Sequence, residues 1–329
     1  MKALTLKQMR YFEALARHGH FGHAADSCAI SQPALSMQIR EMEEILGSPL
    51  FERGGRRVRL TGFGQAAANH VGAILREVEA LADMARAAQD RLVGPLRLGV
   101  IPTIAPYLLP RLIGRLMREH EGLDIHVRES LTGTLLQELS DGRLDAAIVA
   151  LPVSEPALQE VALFSERFML VRPLGDAEKP APDREALRAM RLLLLEEGHC
   201  FRDQALAFCN LGAARPRELL DGSSLSTLVQ MVGAGIGVTL IPEMAVPVET
   251  RSASVSVVPL EGAQPTRSVG MVWRRASPLA RQLMQLADLV RASAEEPPAP
   301  QQGISRSARP HAGAQAPARK QGIREKSRR

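Results

Sequence analysis

Residues 21–61 read FGHAADSCAISQPALSMQIREMEEILGSPLFERGGRRVRLT, and this stretch decides the fold of the N-terminal part of the chain. A short helix is predicted near residues 22–28, and a longer one begins at Ser31, whose hydroxyl can cap it. Pro33 fits the first turn of the longer helix, where a missing N–H costs little. Two short helices, the second with a polar N-terminal end, are typical of a DNA-binding helix-turn-helix.

The longer helix has one buried and one DNA-facing side. Helical spacing gives an apolar stripe of Leu35, Ile39, Met42 and Leu46. Glutamine can pair with an adenine edge, arginine with guanine or phosphate, and serine with either. A Gly-Gly pair between basic stretches then predicts a hairpin wing, and a basic surface loop is the plain alternative for its arginines, Arg53, Arg56, Arg57 and Arg59. The residues predicted to bind DNA are Ser31, Gln32, Pro33, Ser36, Arg40 and Arg53.

These motifs, taken in order, resemble the winged helix-turn-helix of LysR-type transcriptional regulators. The resemblance is carried by the Ala-Ala pair, SQPALS, the Leu-Gly turn, LFER and the closing Leu-Thr. It implies that the helix beginning at Ser31 enters the major groove and that paired heads read a palindromic site. It also implies an α/β fold overall: a winged helix-turn-helix, a linker helix and a two-lobed regulatory domain like the periplasmic binding proteins.

The connecting segment carries a coiled-coil pattern. Residues 64–92 lack proline, and their apolar side chains repeat at three- and four-residue spacing. A helix that packs on its own domain has the same periodicity, but the family resemblance favours a dimer linker. The two candidate stripes are Val71, Leu75, Val78, Ala82 and Ala85, and Ile74, Leu81 and Ala88. The predicted domains are residues 1–62, 63–93, 94–295 and a basic tail at 296–329.

Strand and helix patterns alternate from Leu96 onward, which predicts a mainly parallel sheet with ligands beyond the carboxyl ends of its strands. Thr103 and Thr132 follow the first two predicted strands, where each can cap a helix or hold a small polar ligand. The family resemblance predicts one lobe from residues 96–168 with 268–293, and another from 169–267. A spaced-glycine run at 233–242 precedes a strand, so it is weak evidence for a dinucleotide loop.

Two of the chain's three cysteines lie close together in EEGHCFRDQALAFC, residues 196–209. A helix capped by Asp203 would separate Cys200 from Cys209 by roughly 13–14 Å if all nine steps were helical. A disulfide needs Cα atoms about 4.4–6.8 Å apart, so oxidation would require this segment to change shape. His199 and Arg202 can favour a thiolate at Cys200. Inert, buried cysteines are the open alternative; a zinc site is less well supported, and Cys28 is expected to pack in the head.

This stretch is very similar to the redox segment of the hydrogen-peroxide sensors within the LysR family. The resemblance implies that Cys200 reacts with peroxide and forms a reversible disulfide with Cys209. It implies a peroxide site of Thr103, Thr132, His199 and Asp203, supported by Arg202 and Arg267. The implied partners are double-stranded DNA, hydrogen peroxide, RNA polymerase, a glutaredoxin- or thioredoxin-type reductant and further copies of the chain, as a dimer of dimers.

The resulting hypothesis is a regulator of oxidative-stress defence genes that is not an enzyme and needs no cofactor or metal. One alternative is a LysR-type regulator with an ordinary small-molecule effector in the cleft between its lobes. Another is a thiol peroxidase, against which the SQPALS head argues.

The distribution of charge and the lack of recognisable targeting signals limit these hypotheses. The net charge is +5, but residues 301–329 hold eight of the 41 basic side chains and one of the 36 acidic ones. That tail is therefore +7 and the other 300 residues, with 33 basic and 35 acidic groups, are −2. The tail lacks large apolar groups and is expected to be disordered, with auxiliary phosphate contact as the alternative. The N-terminus has no signal-peptide core, and no apolar run is long enough to span a membrane, so a cytoplasmic protein is expected.

Overall fold

The computed structural model describes residues 3–52, 58–88, 91–209, 220–262 and 264–295. The predicted wing arginines Arg53, Arg56 and Arg57 and the predicted basic tail therefore lie outside the described residues. The helices are α1 Leu6–His18, α2 Phe21–Ser27, α3 Gln32–Leu46, α4 Gly62–Ala87, α5 Ala105–Glu119, α6 Thr132–Ser140, α7 Arg184–Ala189, α8 Cys200–Phe208, α9 Leu225–Gly233, α10 Val246–Glu249 and α11 Ala280–Glu295.

The strands form a mixed sheet, with 3₁₀ turns at Leu174–Asp176 and Glu243–Ala245. They are β1 Gly94–Val100, β2 Leu123–Glu129, β3 Ala146–Leu151, β4 Leu158–Pro173, β5 Leu192–Leu195, β6 Leu220–Gly222, β7 Val238–Pro242, β8 Val255–Val258 and β9 Thr266–Arg274.

The N-terminal head is a helix-turn-helix built as its sequence predicts. Ser31 accepts a hydrogen bond from the backbone N–H of Ala34 at the start of α3, and Gly19 ends α1 in the left-handed conformation. The side chains that fill the small core include Phe12, Leu35 and Met42. Cys28 packs against this core, as expected. Phe51 and Leu60, which flank the predicted wing, form an antiparallel bridge.

The linker helix α4 divides the two predicted stripes between two different surfaces. Val71 and Leu75 are buried in the core of the head, so the first stripe is in part intramolecular packing. Ile74 and Leu81 are exposed, Leu81 by 68% of its surface, and Met84 continues their row. The stripe available to a second chain is therefore the one that contains Ile74 and Leu81.

The regulatory part has two lobes that share two strands. In the first lobe β1 pairs with β2 and β3 in parallel, and in the second β5 pairs with β6 and β7 in parallel. The strands β4 and β9 run between the lobes and pair antiparallel with each other and with their neighbours. The prediction of a mainly parallel sheet is therefore wrong, because the strands that cross between lobes reverse the chain direction.

The change of lobe occurs within β4. Arg167 pairs with Thr266 of β9, and the next residue, Phe168, pairs with Pro242 of β7. Each lobe has its own apolar core, one around Trp273 and the other around Phe168. In the described part of the chain, no helix is long and apolar enough to cross a membrane.

Candidate functional site

Cys200 is the first residue of α8, directly after the turn that follows β5. Gly198 adopts a positive φ of 95°, and a Cβ there would approach Leu131 Cδ1 to 3.0 Å, so this turn favours glycine. His199 is the N-cap residue, without a side-chain cap. The prediction that Asp203 caps the helix is wrong, because the glycine turn starts α8 at Cys200, which puts the cysteine at the positive end of the helix dipole.

A small cavity lies against Cys200. It is formed by the loops after β1, β2 and β5, at carboxyl ends of parallel strands, where ligands of α/β sheets gather. In this conformation the cavity is closed, and its lining side chains leave no room for a water-sized molecule. We call it the Cys200 pocket, and its lining is Ile101, Pro102, Thr103, Leu131, Thr132, Gly198, His199, Cys200 and Phe201.

Both predicted threonines reach this pocket, and neither caps a helix. The N-cap residues of α5 and α6 are Ile104 and Leu131, and neither helix has a side-chain cap. The hydroxyl of Thr103 accepts a 2.7 Å hydrogen bond from Arg267. The hydroxyl oxygen of Thr132 is buried and has no hydrogen-bond partner within the described residues. A buried hydroxyl without a partner is uncommon and indicates a place for a polar molecule.

Arg267 stands behind the pocket instead of lining it. Its Nη1 and Nη2 donate to the side chain and the carbonyl of Thr103, and its Nε donates to Glu166. The guanidinium also lies 5.5 Å from the ring centre of Phe201, the residue after Cys200. Arg267 therefore connects the loop after β1 with the first turn of α8.

Arg202 and Asp203 are placed outside the Cys200 pocket. Arg202 is buried, donates to the carbonyl of Leu195 at 2.7 Å and forms an ion pair with Asp221. Asp203 is exposed in the first turn of α8. Arg202 thus fastens α8 to the end of β5, and the carboxylate of Asp203 adds a favourable charge at the helix N-terminus.

Burial shifts the pKa values of His199 and Cys209 in the directions that favour their uncharged forms. Burial lowers the pKa of His199, although Glu196 partly opposes the shift. The imidazole is therefore neutral near pH 7 and offers hydrogen bonds, not a positive charge. Burial raises the pKa of the Cys209 thiol, against smaller opposing effects of Arg184 and Arg188. Cys209 is therefore protonated in this conformation.

The helix keeps the two cysteines apart. Cys209 is the C-cap residue of α8 and is fully buried, whereas Cys200 is half-buried at the other end. Nine helical steps at about 1.5 Å put the Cα atoms roughly 13–14 Å apart, against the 4.4–6.8 Å of a disulfide. Both thiols are free here, and a bond between them requires α8 to unwind.

Two parts of the chain match known protein families. Residues 6–65 match the helix-turn-helix of bacterial regulatory proteins of the lysR family, and residues 89–295 match the LysR substrate binding domain. The chain belongs to the LysR family.

Its relatives in this family include peroxide regulators. It is 41% identical over 294 residues to the DNA-binding transcriptional dual regulator OxyR of Escherichia coli K12, covering 88% of this chain and 95% of that protein. It is 42% identical over 298 residues to a probable hydrogen peroxide-inducible genes activator of Streptomyces viridosporus, covering 89% and 96%.

Solved structures of similar proteins agree. Full-length OxyR from Pseudomonas aeruginosa, with a cysteine changed to aspartate, matches with a TM-score of 0.69 and 36% identity over 88% of this chain and 96% of that one. A peroxide-bound cysteine-to-serine mutant of Corynebacterium glutamicum OxyR matches with a TM-score of 0.60 and 34% identity over 89% and 93%. The recognised resemblance to LysR-type, OxyR-like regulators and the expected fold class are thereby confirmed.

The LysR-type head presents its predicted DNA-binding residues at the N-terminal half of α3. Ser31, Gln32, Pro33 and Arg40 are exposed, and Ser36 is half-buried. Arg53 lies outside the described residues. Sequence reasoning did not single out Met37, which is 61% exposed on the same helix between Ser36 and Arg40.

Three residues around the Cys200 pocket were also missed. Gly198 could have been found, because a glycine just before a helix often marks a special turn. Phe201 follows Cys200, but sequence alone does not say that its ring packs 4.5 Å from that of Phe168. No sequence pattern pointed to Glu166, since its place opposite Arg267 depends on the register of β4 and β9.

Proposed function

We propose that this LysR-family protein is a DNA-binding transcriptional regulator that senses hydrogen peroxide through Cys200 and Cys209. The observation that carries the proposal is the Cys200 pocket, which is lined by a half-buried thiol at a helix N-terminus and by Thr132, whose buried hydroxyl has no hydrogen-bond partner within the described residues. The peroxide-regulator relatives support the same reading.

The first chemical step is attack of the Cys200 thiolate on peroxide. The sulfur forms a bond to one oxygen as the O–O bond breaks, which oxidises the sulfur by two electrons and reduces the peroxide. The second oxygen leaves as hydroxide and takes a proton to become water, leaving a sulfenic acid on Cys200. The hydroxyls of Thr103 and Thr132 can orient the peroxide against the sulfur of Cys200.

The second step joins the two cysteines. After α8 unwinds and Cys209 leaves its buried site, its thiolate attacks the sulfenic sulfur and expels hydroxide, which gives the disulfide. The raised pKa of buried Cys209 supports this order, since a protonated thiol is a poor nucleophile until it is released. Unwinding of α8 alters the conformation of the second lobe, so oxidation is coupled to a conformational change.

The closed form of the Cys200 pocket bears on the alternative regulator. Sites for drug-sized molecules usually enclose about 300–1,000 Å³, whereas the side chains that line the Cys200 pocket leave no room for a water-sized molecule in this conformation. A molecule as small as peroxide needs a smaller opening of this lining than a metabolite effector does. Thr103 and His199 are proposed to hold peroxide with Thr132. Arg267 supports them from behind, and Arg202 acts by fixing α8; no peroxide contact is assigned to Asp203.

The remaining partners follow from this function. The exposed row on α4 supports a dimer whose paired heads read one DNA site, and two dimers form the proposed tetramer. RNA polymerase is the proposed target of the activated form. A glutaredoxin- or thioredoxin-type protein is proposed to reduce the disulfide. Such a regulator works in the cytoplasm with the chromosome, and it is not proposed to turn over peroxide as an enzyme.

A peptide-level experiment tests the proposal, because Arg202 lies between the cysteines. Trypsin puts Cys200 in peptide 192–202 and Cys209 in peptide 203–217, so the disulfide appears as a linked pair. We expect this pair after brief treatment with micromolar peroxide and its loss with a reduced thioredoxin-type protein. Its absence under conditions that alter operator binding would favour the small-molecule regulator, and sustained peroxide turnover without DNA would favour a peroxidase.

A further inference from the structure

Glu166 is buried at the place where the two lobes exchange strands. It lies on β4 directly opposite Arg267 on β9, and the two side chains form an ion pair of 2.6 Å. Glu166 is 7% exposed and Arg267 is 2% exposed. The other carboxylate oxygen accepts from the backbone N–H of Met244, in the second lobe, at 3.3 Å. Glu166 thus holds the same guanidinium that contacts Thr103 at the Cys200 pocket.

The contact between Arg267 and Thr103 determines how the Thr103 hydroxyl can be used. A guanidinium can donate hydrogen bonds but cannot accept them. Thr103 therefore accepts at its hydroxyl oxygen from Arg267 Nη1, and its own proton stays available to another acceptor. Because Thr103 lines the pocket, an oxygen bound beside Cys200 is the acceptor that the geometry offers.

That proton matters to the reaction of Cys200. Negative charge develops on the departing oxygen as the O–O bond of peroxide breaks, and a positioned donor stabilises such charge. Without Glu166, the guanidinium could turn away from Thr103 to find another acceptor, and the hydroxyl would lose its fixed orientation.

We propose that Glu166 is a positioning residue for the oxidation of Cys200, which holds Arg267 so that the Thr103 hydroxyl donates into the Cys200 pocket. The inference rests on the proposed function, and it adds a residue that touches neither peroxide nor sulfur. Glu166 acts through two successive contacts, first on Arg267 and then on Thr103.

The test compares two reactions of the same sulfur in the full-length chain with Cys209→Ser. Glu166→Gln should slow sulfenic-acid formation by hydrogen peroxide at least tenfold, measured by trapping and mass spectrometry. Alkylation of Cys200 by iodoacetamide, which needs no donor for a leaving oxygen, should change less than twofold. The matched control is Glu243→Gln, which removes the exposed partner of Arg167 and should leave both rates unchanged.

A combined variant tests the route through Thr103. In a Thr103→Val background, Glu166→Gln should slow peroxide oxidation by less than a further twofold. Should Glu166→Gln fail to fold, Glu166→Asp keeps the charge but withdraws it from the guanidinium and carries the same expectations.

The outcomes separate this inference from the function on which it rests. Equal loss in the peroxide and iodoacetamide rates would mean a general structural role and would overturn the inference, as would full additivity with Thr103→Val. Fast oxidation of both the parent and the Glu166 variant would also overturn it while leaving peroxide sensing intact. A parent chain whose Cys200 does not react with peroxide would refute the proposed function itself.

Discussion

Cys200 and Cys209 have opposite environments at the two ends of one helix, and this difference predicts their separate roles. Cys200→Ser should abolish trapping of a sulfenic acid after low peroxide. Cys209→Ser should still give the trapped adduct at Cys200 but no linked peptides, because Cys209 is fully buried with a raised pKa and acts only in the second step. Trapping reagents with mass spectrometry measure both outcomes.

The contrast between the two variants is the control. Equal trapping in both would mean that neither cysteine is privileged and would remove the assigned order of reaction. Cys28→Ser should leave both products unchanged, since Cys28 packs in the head.

Thr132 and Thr103 should respond in opposite ways to loss of their hydroxyls. Thr132→Val removes a buried oxygen without a partner in the described structure, so the reduced protein should be as stable or slightly more stable, yet slower with peroxide. Thr103→Val leaves a buried donor of Arg267 unpaired and should cost about 1–3 kcal/mol of unfolding free energy. Thermal unfolding and oxidation kinetics on both variants measure the two effects.

A large loss of unfolding free energy in Thr132→Val would contradict the proposal that its hydroxyl is kept for binding a ligand. Oxidation of Thr132→Val at the parent rate would contradict its part in holding peroxide.

At the level of single residues, sequence reasoning found the side chains that precede a helix or follow a strand. Thr103, Thr132 and His199 stand at such positions, and the structure brings all three to the Cys200 pocket. Glu166 could not be found, because it meets Arg267 across 101 residues of chain and only through strand register. Arg202 has the charge expected at a thiolate, but Asp221 and the carbonyl of Leu195 hold it elsewhere.

The helix α8 must unwind before the disulfide forms, so its stability should control the second step alone. Ala207 is exposed in its last turns, and glycine there costs about 1 kcal/mol of helix stability. Ala207→Gly should therefore speed conversion of the sulfenic acid to the disulfide by up to about fivefold. The rate of sulfenic-acid formation should not change, and rapid quenching with alkylation separates the steps.

Ala186→Gly is the matched control, since Ala186 is exposed on α7 in the same lobe. An equal acceleration by both variants would indicate general loosening of the lobe instead of opening of α8.

The linker helix α4 offers a similar comparison between two faces. Leu81→Lys should weaken the dimer by at least tenfold, because Leu81 lies in the exposed apolar row with Ile74 and Met84. Ala82→Lys changes the adjacent exposed position and should have little effect. Analytical ultracentrifugation over a range of concentrations measures both. The reverse ranking would assign the dimer seam to the stripe of Val78 and Ala82.

Helical periodicity predicted that α4 exists but not which face it shares with the head. Heptad spacing fits both Val71 with Leu75 and Ile74 with Leu81, and only packing against the head buries the first pair. The same limit applied to α8, whose existence was predicted while its start was placed four residues too late. Helix-capping preference pointed to Asp203, but the glycine turn before His199 determined the boundary.

At the scale of the whole molecule, the basic C-terminal segment should be separable from sensing. Truncation after Glu296 keeps all of α11, whereas truncation after Ala292 would remove its last turn, including buried Ser293. The shorter chain should keep its disulfide response and its footprint on the operator. It loses a +7 segment, so nonspecific binding and the salt dependence of DNA affinity should fall. Binding titrations at several salt concentrations measure this change.

Unchanged salt dependence would mean that the basic segment makes no phosphate contacts. Loss of folding after this cut would contradict its separation from the core.

Alternating strand and helix patterns predicted an α/β regulatory part, and the family resemblance predicted its two lobes. They could not show that β4 and β9 cross between the lobes and pair antiparallel, because pairing direction depends on where the chain returns. This crossing brings both Phe168 of β4 and Arg267 of β9 against the ring of Phe201. The junction of the lobes is therefore also the wall behind Cys200.

The nine-residue helix that begins at Cys200 and is capped by Cys209 also controls which oxidation events last. If small cellular thiols reach a sulfenic acid on Cys200 before α8 opens, one thiol forms a mixed disulfide and releases water, and a second thiol then restores Cys200 and leaves as the small-molecule disulfide. Only oxidation events in which α8 opens first end in the Cys200–Cys209 disulfide. The stability of one short helix thus sets the fraction of oxidation events that is retained, separately from how fast Cys200 reacts with peroxide.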